Sequence, residues 1–172
     1  MAQPINETLL VDKVKTTFET DITATTVFRG DVTHVVEARA LRRLLSFLKS
    51  DAELQFNYLV DVLAVDYYDR EPRFEVVYHL YSIPKKHRLR VKVRVPANEP
   101  VPTISDLWQG ADWPEREAFD MFGIVFEGHP NLKRIYLPQD WVGYPLRKDY
   151  PLRGYKDRYN PFGEDSPLYK GE

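Results

Sequence analysis

The sequence predicts an α+β fold: a two-layer sandwich of two helices on a five-stranded mixed sheet (α-β-β-α-β-β-β), followed by a short helix and an extended C-terminal segment rich in proline and aromatics. Three observations carry this reading. Apolar residues recur at helical spacing in two early stretches. Five runs rich in β-branched residues lie between and after them. Proline usage changes near residue 96, with three prolines in residues 1–95 and ten in the remaining 77. The chain is therefore divided into an α/β domain (1–100), a short helix with its following segment (101–136) and an extended tail in need of a surface to lie on (137–172).

The first helix is expected over residues 7–19, where Leu9, Leu10, Val14 and Phe18 share a face and Asn6 stands as N-cap. Residues 22–28 and 32–37 are rich in Thr and Val and flank Arg29-Gly30-Asp31, which reads as a hairpin turn rather than an adhesion motif. The second helix turns Ala40, Leu41, Leu44, Leu45 and Leu48 inward and Arg39, Arg42, Arg43 and Lys49 to solvent. Three strand-like runs follow at 56–68, 73–83 and 87–95. In the last, Leu89, Val91, Val93 and Val95 alternate with Arg88, Arg90, Lys92 and Arg94, which gives one buried and one cationic face. The far face of the sheet is left for the tail or for a partner.

The short helix lies in DWPEREAFDMFG, residues 112–123. Asp112 and Glu115 have capping-box spacing, Pro114 is tolerated in the first turn, and Gly123 ends the helix. Glu115 and Glu117 sit at the positive end of the dipole, and Arg116 lies four residues before Asp120, within ion-pair reach. Ala118, Met121 and Phe122, widened by Phe119, form the apolar side, which leaves the carboxylates on the charged side.

Lys plus Arg number 24 against 26 Asp plus Glu, for a formal charge of -2, so nothing global draws the chain to nucleic acid or anionic lipid. The chain holds no cysteine, which excludes disulfides, thiolate nucleophiles and cysteine-ligated zinc or iron-sulfur centres. Glu7, Asp12 and Lys13 interrupt any signal peptide, so the mature protein is expected to start near Met1. The most apolar run, Tyr58 to Val65, contains Asp61 and is far shorter than the ~20 residues of a membrane span. No phosphate loop, dinucleotide fingerprint or nucleophile elbow occurs. A metal site on Glu117 and Asp120 would have His129 as its only nearby nitrogen ligand, and a solvated or partner-facing charged face is the better reading.

From residue 137 the chain carries five prolines and seven aromatics, Trp141, Tyr144, Tyr150, Tyr155, Tyr159, Phe162 and Tyr169, without periodicity. Residues 129–158 hold seven Lys or Arg against three Asp. Aromatics on an extended basic segment require a surface to lie on.

Glu115-Arg116-Glu117, Asp120, Met121-Phe122, His129, Lys133, Arg134 and Ile135-Tyr136, with GYPLRKDYPL at 143–152 bringing Arg147, Lys148 and Asp149, resemble the signature of the 30 kDa subunit family of respiratory complex I. The bacterial form of that family is the C-type subunit of NADH-quinone oxidoreductase. The resemblance is strong over residues 107–155 and topological before them. It implies a non-catalytic, structural subunit of the peripheral arm, with the signature residues serving structure and interface. The implied partners are the 49 kDa-type (D-type) quinone-site subunit and the terminal-cluster (B-type) subunit. It implies no cofactor, metal or catalytic residue in this chain, with NADH, FMN, iron-sulfur clusters and quinone held by the partners. The implied location is peripheral, on the cytoplasmic face of the bacterial inner membrane, attached only through the complex.

Ferredoxin-fed and hydrogenase-type relatives are alternatives within the same resemblance. A single-stranded nucleic-acid-binding module is the alternative from another class, because HRLRVKVRV and the tail interleave cations with aromatics. Its weaknesses are the net acidity and the lack of a recognised RNA-binding motif. A carboxylate enzyme built on Glu115, Glu117 and Asp120 is disfavoured by the missing pocket motifs. At least one of Arg116, Arg134 and Arg147 is expected to pair with Glu117 or Asp120. Truncation before residue 137 is expected to leave the sheet domain folded but to abolish assembly.

Overall fold

Leu41, Leu44, Leu45 and Leu48 recur at three- and four-residue spacing, and all four are fully buried. Each such burial contributes about 1.5–3 kcal/mol, so this helix anchors its layer of the fold. The computed structural model describes residues 7–165, with side chains from Leu10 onward. The expected Asn6 cap, the Leu9 side chain and the tail beyond 165, including Tyr169, lie outside the described residues.

The elements are α1 (Glu7–Thr17), β1 (Ile22–Phe28), β2 (Asp31–Val36), α2 (Leu41–Ser50), β3 (Tyr58–Asp66), β4 (Phe74–Ser82), β5 (His87–Val95), β6 (Val101–Pro102), α3 (Asp112–Phe122) and β7 (Phe126–Glu127). Five strands form one sheet in the order β1-β2-β5-β4-β3. Three pairings are antiparallel and β2–β5 is parallel, so the sheet is mixed as predicted.

Helix α1 stops at Thr17, short of the expected residue 19, because the Asp21 and Ile22 N–H groups both donate to the Phe18 carbonyl and turn the chain into β1. The hairpin closes at Arg29 and Gly30, whose φ values of 52° and 86° define a primed two-residue turn matched to strand twist. Arginine is unusual in that conformation, and its guanidinium lies over the Phe28 ring.

The basic residues of α2 are less free than the sequence reading places them. Arg42 forks onto Asp106 (2.7 and 2.6 Å) and donates to the Thr103 carbonyl (2.9 Å). Lys49 donates to the Leu107 carbonyl, and Arg43 pairs with Asp21. Long cationic stems reach carbonyls that the irregular 103–108 segment leaves unpaired, so this side of α2 fastens the next part of the chain.

Leu89, Val91, Val93 and Val95 of β5 are buried as the alternation predicts. On the opposite face, Lys92 pairs with Glu75 of β4 at 2.7 Å, and Arg94 approaches the same carboxylate at 3.8 Å. Beyond the sheet, β6 and β7 make a two-residue parallel ladder, too short to leave a periodic signal. The ladder closes a loop that contains α3, and α3 packs beside β3. Among the described residues no helix is long and apolar enough to cross a membrane.

Candidate functional site

Helix α3 does not begin with a capping box. A 3-10 turn, Gln109–Ala111, runs straight into it, Ala111 occupies the N-cap position in a helical conformation, and no side chain caps the end. Asp112 is the first helical residue. Glu115 is fully buried, and it accepts hydrogen bonds from the Thr103 hydroxyl and the Ile104 N–H (2.8 Å). The reason is geometric: Glu115, Ala118 and Phe122 follow the i, i+3, i+7 spacing of one face, so the carboxyl is carried into the protein with the apolar side chains. That spacing was the signal available in the sequence.

Burial pushes the Glu115 carboxyl up to about 7, against the opposing hydrogen bonds from Thr103 and Ile104. The Thr103 hydroxyl also lies 2.9 Å from Ser105 Oγ. One hydroxyl hydrogen serves one acceptor, so a protonated Glu115 donates to Thr103 and frees the Thr103 hydrogen for Ser105. The side chain of His129 is fully enclosed beside this group, its Nε2 3.9 Å from Glu115 and 3.4 Å from Asp112 Oδ1. The Asn131 N–H donates to His129 Nδ1 (3.0 Å), which places the hydrogen of the neutral ring on Nε2, facing the Asp112 carbonyl at 3.3 Å.

Asp120, also fully buried, has a different environment. Its Oδ2 accepts three consecutive backbone N–H groups, from Ile135 (3.0 Å), Tyr136 (2.8 Å) and Leu137 (3.1 Å). Its Oδ1 accepts from Arg134 Nη1 at 2.9 Å. Burial alone would raise this carboxyl, but the three amides and the guanidinium together hold it below the usual carboxylate range. The expected pairing of one signature arginine with Glu117 or Asp120 is thus found at Arg134. The expected Arg116–Asp120 pair does not form. Arg116 lies over the Trp113 ring and donates to the Lys133 carbonyl at 3.1 Å, because Asp120 points inward. Glu117 is exposed and receives the Tyr136 hydroxyl at 3.4 Å.

The segment after α3 returns across its C-terminus. Gly123 ends the helix in the left-handed region (φ 74°), as read from the sequence. Arg147 donates to the Phe122 carbonyl (2.6 Å) and stacks over Tyr144 and Phe74, while the Leu146 N–H donates to the Met121 carbonyl (3.1 Å). Arg134 Nη2 reaches the carbonyls of Trp141 (3.4 Å) and Gly143 (3.2 Å). From the sheet, Arg73 grips buried Asp66 through two 2.8 Å bonds and reaches Asp149 at 2.6 and 3.1 Å. The Lys148 N–H completes Asp66 at 2.8 Å. Truncation before residue 137 would therefore strip bonds from Asp66, Arg73 and the end of α3. Arg73 and Asp66 escaped the sequence reading because they meet across the β3–β4 connection and their other partners, Asp149 and Lys148, lie far away in sequence.

The signature residues thus converge on one joint, where α3, the 129–149 segment and the lower edge of the sheet meet. The carboxyls of Glu115, Asp120, Asp66 and Asp149 are occupied by amides, hydroxyls and guanidinium groups, whereas Asp112 Oδ1 is buried without a hydrogen-bond partner among the described residues. Among the described residues no group of three His, Asp or Glu side chains is arranged to hold a metal ion. What the arrangement does chemically is fix backbone.

Residues 34–156 match the family described as "Respiratory-chain NADH dehydrogenase, 30 Kd subunit". The chain is 47% identical over 155 residues to the C-type subunit of NADH-quinone oxidoreductase from Geotalea uraniireducens (strain Rf4), covering 90% of this chain and 93% of that one. It is 53% identical over 121 residues to the C 2 subunit of the same enzyme from Rhizobium etli (strain CIAT 652), and this match spans 70% of the chain but only 65% of the Rhizobium protein's length. Among solved structures it is similar to a chain of the membrane-bound sulfane sulfur reductase (MBS), described as an archaeal respiratory membrane complex. That similarity has a TM-score of 0.70 at 27% identity and covers 83% of this chain and 84% of the other. With the match running from β2 through the rest of the sheet, α3 and the returning segment, the chain belongs to the family of the 30 kDa subunit of respiratory-chain NADH dehydrogenase.

Proposed function

We propose that this chain is a non-catalytic structural subunit of the peripheral arm of a proton-pumping NADH:quinone oxidoreductase. In this reading α3 and the tail dock on the 49 kDa-type quinone-site subunit, beside the terminal-cluster subunit. NADH, FMN, iron-sulfur clusters and quinone are held by partner subunits, and this chain reaches the cytoplasmic face of the bacterial inner membrane only through the complex. The observation that carries the proposal is the family match, which runs from residue 34 in β2 through α3 to residue 156. The surface supports it: Trp113, Tyr136, Leu146, Leu152 and Phe162, on α3 and the segment after it, remain half to fully exposed. A lone soluble chain rarely leaves so much apolar surface uncovered.

The test is recovery of the tagged full-length chain from membranes of its host. Co-purification with a quinone-site subunit, a terminal-cluster subunit and flavin-bearing subunits is the expected result; recovery as a lone monomer refutes the proposal. The similarity to a chain of an archaeal sulfane sulfur reductase favours a second reading, the equivalent subunit of a relative that serves another redox reaction. Co-purified subunits lacking the flavin-bearing NADH module would select it.

A further inference from the structure

We propose that the uncovered face of the five-stranded sheet, centred on a cavity beside Arg88, Arg90 and Tyr58, binds an extended acidic segment of a partner subunit that inserts a bulky apolar side chain. The proposal rests on the docking reading above and adds a second contact surface, opposite the helices.

The inward residues of β3, β4 and β5, such as Val62, Tyr78 and Val91, are buried in the core, whereas on the other face the β3 side is exposed while Glu75, Val77 and Thr33 nearer the middle are buried. On it Tyr58, Val60, Leu63 and Val65 are 51%, 52%, 45% and 36% exposed. Val60 protrudes because the register shifts between Leu59 and Asp61, leaving it as an extra residue in the edge strand. Cross-strand pairing aligns two rows on this face, Tyr58–Tyr81–Arg88 and Asp61–His79–Arg90–Thr33. Between them lies a cavity of about 430 Å³ lined by Tyr58, Val60, His79, Tyr81, Arg88 and Arg90 among others. It is large enough to take an aromatic or branched side chain.

Charge selects the occupant. Lys92 and Arg94 share the single carboxylate of Glu75, so their end of the β5 row is only partly neutralised, but both cations there have an acidic partner within the chain. Arg88 and Arg90 have no such partner among the described residues. Among the described residues Arg90 donates to the Thr33 hydroxyl at 3.3 Å. Asp31 stands at the cavity rim without pairing with either guanidinium, and Asp61 accepts the N–H of Val62 (2.8 Å). Burial, and then the charge of Arg90, lowers His79, so the fixed positive charge at this site belongs to the two arginines. Two guanidinium forks without a carboxylate partner among the described residues, beside an apolar hollow, are complementary to carboxylates next to a bulky apolar residue.

The test places the photo-cross-linking residue p-benzoylphenylalanine at Tyr58 in the full-length chain assembled in its host. The expected product joins position 58 to another subunit at a segment of net negative charge. The double charge reversal R88E/R90E is expected to lower partner recovery at least tenfold while leaving the melting temperature of the isolated chain unchanged. Cross-links to a second copy of this chain, to nucleic acid or to a neutral or basic segment overturn the proposal. So does the absence of any cross-link from chain that still co-purifies with its partners, or undiminished recovery of R88E/R90E. Wild-type chain recovered without partners would instead refute the docking reading itself, and this proposal with it. Because the cross-link is formed in assembled material, its result holds even if charge reversal perturbs folding.

Discussion

Glu115 and Asp120 are both fully buried on helix α3, yet the protein holds their protons in opposite ways. Burial raises Glu115 to about 7, whereas amides and Arg134 keep Asp120 below the usual carboxylate range. The difference lies in the hydrogen-bond supply: one backbone N–H and a shared hydroxyl for Glu115, three N–H groups and a guanidinium for Asp120.

For Glu115 the sign of the pH dependence follows from a folded value of about 7 above an ordinary value of 4.5. Its protonated form favours folding fully below pH 4.5, and that advantage is lost as pH rises through 7. The loss is on the order of 3 kcal/mol. Glu115→Gln cannot ionise and should not show it. Denaturant melts of both proteins across this range should give a stability difference that moves toward the variant as pH rises; a constant difference would rule out a raised Glu115.

Asp120→Ala removes the anion that gathers Arg134 and three amides, and it should destabilise the chain by about 3–5 kcal/mol, since Arg134 is left partly buried without its partner. In a chain of this size that is a fall of roughly 10 °C or more. Asp120 is depressed in the folded state, so wild type loses its contribution as pH falls through that depressed value, and the variant has none to lose. Thermal melts should therefore converge in acid; parallel curves down to low pH would contradict the assignment.

Gly123→Ala tests the joint from the backbone side. The residue has φ 74°, and an added Cβ would lie 2.5 Å from the Tyr144 ring and 2.7 Å from the Arg147 guanidinium. Both would have to move, which releases the Phe122 carbonyl. A loss of more than about 1 kcal/mol is expected, with faster proteolysis in residues 143–165. Unchanged cleavage there would mean that Tyr144 and Arg147 do not hold the returning segment.

Arg73 should show an asymmetry between its two acids. Arg73→Met strands the fully buried Asp66 and should cost about 3–5 kcal/mol. Asp149 is 42% exposed, so Asp149→Asn should cost less than about 1 kcal/mol. Equal costs in urea melts would be inconsistent with this geometry.

The sheet, its two helices and the end of α3 were legible because period-2 and period-3.6 patterns, and a glycine after the last helical turn, are local signals. Strands β1 and β5 agree with their sequence bounds residue for residue. The start of α3 was misread because Asp112 and Glu115 satisfy the capping spacing, and a sequence does not show that the 3-10 turn already extends the helix. Glu115 and Asp120 were assigned to a charged outer side because isolated carboxylates normally face water. Their partners, Thr103, Ile104 and residues 134–137, lie on other segments. Only the pairing of one signature arginine with Glu117 or Asp120 could be argued in advance, because like charges one turn apart want a cation between them and a buried arginine needs a carboxylate; the structure places it at Arg134 and Asp120.

The ladder between Val101–Pro102 and Phe126–Glu127 joins the two ends of the loop containing α3, through Val101 N–H to Val125 O (2.8 Å) and Thr103 N–H to Glu127 O (2.9 Å). A helix tethered at both ends cannot fray from one side. Its opening requires the ladder to part as well, which makes the amides of Val101, Thr103 and α3 a single cooperative unit in hydrogen exchange. A docked partner would then slow exchange throughout that unit, including at amides it never touches.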